Sequence, residues 1–219
     1  MVWPDSTIIK KDDLFTPLDF SNEHLKIPFL YFFFYIYIIY MEKILITGTG
    51  RSGTTFLIKI FSFLDFDTGF NINNYKKYIF SNCNSGMEKH YCDNHYILKN
   101  PTFMADIEKI VKDKENITIK TVIIPLRDLD PSAQSRVNHK NKEGGLWNAT
   151  DKLSQINYYK DIISNYIFIS TKYDLNTIFI DFDKMIKNKQ YLFNKLKNIL
   201  DEKNINFETF SDIYEVSKH

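Results

Sequence analysis

Apolar and polar residues alternate along this chain in blocks of two different periods. "KILITG" (43–48) is a short buried run of strand type, and it leads through a glycine cluster into a helix at about 54–64. That helix carries Phe56, Leu57, Ile58, Ile60, Phe61, Phe63 and Leu64, so it is apolar on nearly every side and should be buried. Residues 65–94 are polar and aromatic without a clear period, and "HYILKN" (95–100) reads as a short strand limited by Pro101. Helical spacing returns over 102–113 through Met104, Ile107, Ile110 and Val111. The clearest strand is "ITIKTVIIPL" (117–126), β-branched and apolar in its second half, as a buried parallel strand should be. Asp130 before Pro131 predicts a helix start with a capping carboxylate and proline at the first position. A long helix over 151–173, a strand over 177–182 and a last amphipathic helix over 184–202 follow. Strands alternating with helices predict an α/β fold, a doubly wound parallel sheet flanked by helices, with ligands at the strands' carboxyl ends.

The front of the chain differs. "IPFLYFFFYIYIIY" (27–40) is an apolar run of fourteen, short of the roughly 20 residues that a membrane-spanning helix needs. It lacks a small-residue cleavage site, and the strand at 43 follows it with no stem. Met41 opens "MEKILITGTG" like a natural start, so the expectation is an extension over 1–40 and one α/β domain over 41–219. A cytoplasmic location goes with that expectation, and a membrane anchor through 27–40 is its alternative.

Length and charge narrow the function. A chain of 219 residues suits one domain, and a net charge of +1 gives no global reason to expect nucleic acid or an anionic membrane as partner. Among 28 lysines and arginines only Arg51, Arg127 and Arg136 are arginine, the side chain whose planar fork suits phosphate and sulfate oxygens. Two cysteines, Cys83 and Cys92, rule out a disulfide scaffold; with His90 and His95 they are four possible zinc ligands, but the tight Cys-x-x-Cys spacing is missing and no metal is expected.

"GTGRSGTTF" (48–56) is the segment with the most chemistry. A loop between a buried strand and a helix N-terminus offers unpaired N–H groups and the positive end of the helix dipole. Gly48 and Gly53 carry the first half of the nucleotide-hydrolase pattern, but Thr54 stands where that pattern has lysine, and Arg51 supplies a cation instead. "GRSGTTF" resembles the 5′-phosphosulfate loop of the sulfotransferase family, where cytosolic members have Lys-Ser-Gly-Thr-Thr-Trp and Golgi carbohydrate sulfotransferases often have arginine for that lysine. The resemblance implies a P-loop-like three-layer sandwich and 3′-phosphoadenosine 5′-phosphosulfate (PAPS) as co-substrate, with no metal required. It gives Arg51 the phosphosulfate, gives Gly50, Ser52, Gly53, Thr54 and Thr55 the 5′-phosphate, and sets Phe56 on the adenine.

"PLRDLDPSAQSR" (125–136) adds to this. Arg127 ends the strongest strand and Ser135 follows eight residues later on a helix, the separation at which the family reads its donor's 3′-phosphate. In all, the similarity spans about 41–205, with no counterpart of the family's C-terminal glycine-rich loop. Cytosolic members place a histidine base in Lys-Thr-His-Leu-Pro; here "LKNPTF" (98–103) keeps Lys99 but no histidine. Lys99 is therefore the first candidate for base or charge stabiliser, with His95 and His90 behind it, while His139 reads as a solvated helix residue. "GGLW" (144–147) is either a closing loop or a plain turn with a packed Trp. The expected acceptor is a small molecule or glycan hydroxyl, in a neutral pocket lined by Phe70, Tyr75, Tyr78, Phe80 and Trp147. Two other readings stay open. One is a P-loop kinase or NTPase with a deviant loop, for which Asp181 would be the magnesium-binding strand end; the other is a non-catalytic nucleotide-binding protein of the same fold.

Overall fold

A computed structural model describes residues 42–80, 83–115, 117–139 and 144–218. The extension over 1–40, its apolar run and Met41 lie outside the described residues. Among the described residues no helix is long and apolar enough to cross a membrane.

In chain order, β1 (Glu42–Ile46) leads through the glycine loop into α1 (Thr54–Phe63). A 3₁₀ turn (Tyr75–Tyr78) and the hairpin β2 (Ile79–Phe80) and β3 (Ser85–Gly86) come next, then β4 (Ile97–Lys99) and α2 (Phe103–Lys112). After β5 (Thr118–Leu126) come α3 (Leu129–His139) and α4 (Lys152–Lys172). The chain continues with β6 (Thr177–Asp181), α5 (Phe182–Lys187), α6 (Lys189–Leu200) and α7 (Phe207–Ser217). Four strands form one parallel sheet in the order β4-β1-β5-β6.

The strand period of two explains how this sheet is covered. Ile44, Ile46, Ile97, Ile123 and Ile180 join the core built by α1, α6 and α7. Their neighbours Leu45, Leu98, Val122 and Ile124 join a second core with α2, α4 and Ala133 of α3. Helices therefore pack against both faces, and β1, β4 and β5 are buried on both sides, while Phe179 of the edge strand β6 stays exposed. Each fully buried Leu, Ile or Val contributes about 1.5–3 kcal/mol, so this double core explains why the middle strands read as unbroken apolar runs.

Most boundaries fall within a residue or two of those expected, and three features differ. The last predicted helix, 184–202, is broken at Asn188, whose backbone is extended and whose side chain accepts a hydrogen bond from Tyr191 N at 2.9 Å. Asn188 thus caps α6 while α5 ends, an Asx choice that apolar periodicity hides. A further helix, α7, buries Phe210 and Tyr214 against α1 and α6. The third correction concerns Asp130: α3 begins at Leu129, two residues before the expected first position, and the Asp130 carboxylate pairs with Lys152 at 2.8 Å instead of capping. Pro131 is still within the first turn, where its missing N–H breaks no helical bond.

Candidate functional site

β1 delivers the chain to the sheet's carboxyl edge, and the backbone then coils. Gly50, Arg51 and Gly53 all have positive φ, at 75°, 57° and 89°. Arg51 is the informative one, because a residue with a Cβ pays for this conformation where glycine does not. Gly53 is required by packing too: a Cβ there would come within 2.5 Å of Met185 Cε and 3.1 Å of Phe182, both on α5. Gly53 stands at the N-cap of α1 and offers no side-chain acceptor, whereas α4, α5, α6 and α7 are each capped by an Asp or Asn oxygen. The first N–H groups of α1 are thus left for something else. Ser52 is fully buried and its Oγ has no hydrogen-bond partner.

All three arginines converge on this loop. Arg51 donates from Nε to Ser135 Oγ at 3.1 Å and from Nη1 to the Cys83 carbonyl, and its Nη2 lies 3.2 Å from His139 Nε2. Arg127 Nη1 donates to the Arg51 carbonyl at 3.1 Å, and its guanidinium lies 4.7 Å from the centroid of Phe182. Arg136 lies behind Gly50, held by Tyr159 Oη at 2.6 Å and the Gly145 carbonyl at 2.5 Å, with Trp147 5.3 Å away. Among the described residues none of the three forms an ion pair with a carboxylate. Burial is the largest cause pushing the Arg51 guanidinium below its ordinary value, and the charges of Arg136 and Arg127 push the same way.

The loop forms one wall of a cavity of about 850 Å³. Gly50, Arg51, Gly53, Thr54, Thr55, Phe56, Lys99 and Arg127 all line it. Ser135 stands behind Arg51, and Ser52 is tucked inside the loop. Phe56 is packed edge-on against Tyr214, with centroids 5.4 Å apart, while it borders the cavity. Lys99 is buried; its Nζ donates to Glu88 Oε1 at 2.5 Å and to the Gly86 carbonyl at 2.9 Å. Burial pushes the Lys99 ammonium below its ordinary value, and Glu88 opposes that shift.

Other expected residues are elsewhere. His95 pairs with Asp67 at 2.7 Å away from the cavity walls, and His90 lies against Tyr91. Cys83, Cys92, His90 and His95 do not converge, and no metal-type cluster occurs among the described residues. Of the five aromatics expected around the acceptor only Tyr75 lines the cavity; Trp147 packs against Tyr158 and Arg136 instead. "GGLW" does both things considered for it, since Gly144 borders the cavity and Trp147 is a packed ring.

Two contacts were not legible in advance. Glu88 has no motif around it, and His139 meets Arg51 instead of solvent because α3 faces the loop. Arg136 carried one signal, its rarity as an arginine. No protein-family model, no curated protein and no solved structure matches this chain.

Replacing Gly50 by alanine tests the loop directly. The new Cβ would meet Arg136 Nη2 at 2.2 Å, at φ +75°, against a guanidinium fixed on two sides. A loss of about 1–3 kcal/mol is expected, readable as a lower denaturation midpoint in urea. An unchanged midpoint would mean that Arg136 can leave Gly50 at no cost.

Proposed function

We propose that the protein is a sulfotransferase, moving a sulfuryl group from PAPS to a hydroxyl of a small-molecule or glycan acceptor by in-line displacement. The observation that carries this is the convergence of all three arginines, none paired with a carboxylate, on an uncapped glycine loop. Like charges held together in partial burial repel one another, and a bound polyanion relieves that repulsion. The buried, unpartnered Ser52 Oγ fits the same anion. Helices on both faces of a parallel sheet support a doubly wound, P-loop-like three-layer reading, in which ligands bind beyond the strands' carboxyl ends.

On this reading the backbone from Gly50 to Thr55 and the threonine hydroxyls hold the 5′-phosphate, Arg127 and Ser135 hold the 3′-phosphate, and Arg51 steadies charge on the leaving oxygen. None of the present partners of Arg51 is a carboxylate, and a charged oxygen is the stronger acceptor. Lys99 supplies positive charge where sulfur changes partners. Glu88, with a third of its side chain exposed, is the carboxylate placed to take the acceptor's proton. Asp181, the acid that a kinase or NTPase reading would use for magnesium, caps α5 by accepting from Lys184 N at 2.8 Å.

Thermal denaturation separates the classes. Adenosine 3′,5′-bisphosphate at a hundred times its Kd, without magnesium, should add about 2.7 kcal/mol and raise Tm by roughly 5–10 °C. ATP with magnesium should do little. Preference for ATP with magnesium would defeat the sulfotransferase reading, and binding without transfer of labelled sulfate to any hydroxyl in a broad panel would favour a non-catalytic nucleotide-binding protein.

A further inference from the structure

Lys59 is a buried cation beside which the protein places no anion. It follows Thr55 by four residues on α1, so both lie on one helix face, about 6 Å apart along the axis. The residue is 7% exposed and borders the same cavity as the loop. Its ammonium lies over the ring of Tyr75, 5.3 Å from the centroid, and no hydrogen bond or ion pair joins it to a described residue. Burial pushes its ammonium below the ordinary value, and the neighbouring Lys76, which also lines the cavity, pushes the same way. A cation over a tyrosine face recovers part of the lost hydration, not all of it.

The charge of the whole cavity wall sharpens this. Glu88 is its one carboxylate among the described residues, and Lys99 already holds it. On the sulfotransferase reading the donor's anionic groups go to the three-arginine end. Lys59, over Tyr75 of the 3₁₀ turn, and Lys76 on that turn are then left over, with no donor group assigned to them. A wall intended for a neutral phenol or sugar has no use for a buried, unpaired ammonium.

We infer that the acceptor itself carries an oxyanion, a carboxylate or a sulfate ester, and that Lys59 with Lys76 binds it. This deepens the sulfuryl-transfer reading and rests on it. The neutral pocket expected from the aromatic residues of 65–94 is replaced by a cationic one.

The test is calorimetric titration of the full chain, saturated with adenosine 3′,5′-bisphosphate, with three matched probes. These are 4-nitrophenyl β-D-glucoside, its 6-sulfate, and 4-nitrophenyl β-D-glucuronide. At least one charged probe should bind tenfold or more tightly than the neutral glucoside, and which one does so identifies the anion. Lys59→Gln should reduce that probe to the glucoside's affinity while the bisphosphate's affinity stays within about twofold, and Lys59→Arg should keep the preference. Equal affinities, no binding by either charged probe, or a preference that survives Lys59→Gln overturns the inference. Failure of the bisphosphate to bind sinks the donor reading alone; the three titrations on the ligand-free chain then still decide the role of Lys59.

Discussion

Arg51→Ala is expected to lower sulfuryl transfer by about 10²–10³, the loss typical when one preorganised donor to a developing negative charge is removed. The fold should survive. Arg51 is half-buried, its partners are a carbonyl, a hydroxyl and an imidazole, and its removal takes one charge out of a mutually repelling cluster. Arg127→Ala should behave differently. Its guanidinium is braced by Phe182 and the Arg51 carbonyl at the mouth of the loop, so its loss should weaken adenosine 3′,5′-bisphosphate by about 10–100-fold, the worth of a charged hydrogen bond. Turnover at saturating donor should change little. Steady-state kinetics with titrated PAPS reads the split, and equal, mild effects from both variants would contradict the roles assigned.

Lys99→Met should separate catalysis from stability. The Lys99 side chain is 1% exposed, and methionine fills much of its volume without a buried charge. The variant leaves Glu88 without its partner, but a third of that side chain is exposed and water can take over the carboxylate, so Tm should move by only a few degrees, while transfer should fall by about 10²–10⁴ if Lys99 acts on the reacting oxygens. Lys99→Ala is the harsher contrast, since it adds a cavity as well.

The pH dependence has a definite sign. The folded-state pKa of Lys99 is depressed below 10.5, so between that depressed value and 10.5 the unfolded chain holds more protons. Stability contributed by this group therefore rises with pH across the window, because the penalty of burying the ammonium disappears as it deprotonates. Lys43 and Lys59 are depressed as well, so Lys99→Met should flatten the alkaline rise without abolishing it. Urea midpoints measured across that window, wild type against Lys99→Met, check this, and identical slopes would place Lys99 outside the linkage.

How much of this could be read from residues alone follows from which interactions are local. β1, α1 and β5 were legible because burial on both sides leaves an unbroken apolar signature. The glycine loop was legible because glycines between a strand and a helix have a geometric cause, seen here in three positive-φ residues within four positions, at 50, 51 and 53. The break at Asn188 was not, since apolar residues such as Ile186, Leu192 and Leu196 continue on both sides of it while one side chain turns the backbone. Glu88 and Arg136 depend on which elements the sheet order brings together. Lys99 reaches Glu88 only because the hairpin β2–β3 folds back over β4, and Arg136 reaches Gly50 only because α3 crosses behind the loop. His95 stands just before the N-terminal end of β4, at the opposite edge of the parallel sheet from the loop, and pairs there with Asp67.

The unpaired arginine cluster also bears on how the protein is handled at the bench. Sulfate and phosphate ions share the charge and shape of the groups the loop suits, so a phosphate buffer or an ammonium sulfate step supplies a surrogate ligand to the folded state alone. A stability measured in phosphate would include that contribution, and an affinity for the bisphosphate measured there would be weakened by competition. Chloride-only buffers at fixed ionic strength, with sulfate added back in steps, give the protein's own baseline and turn the purification salt into a first titration of the site.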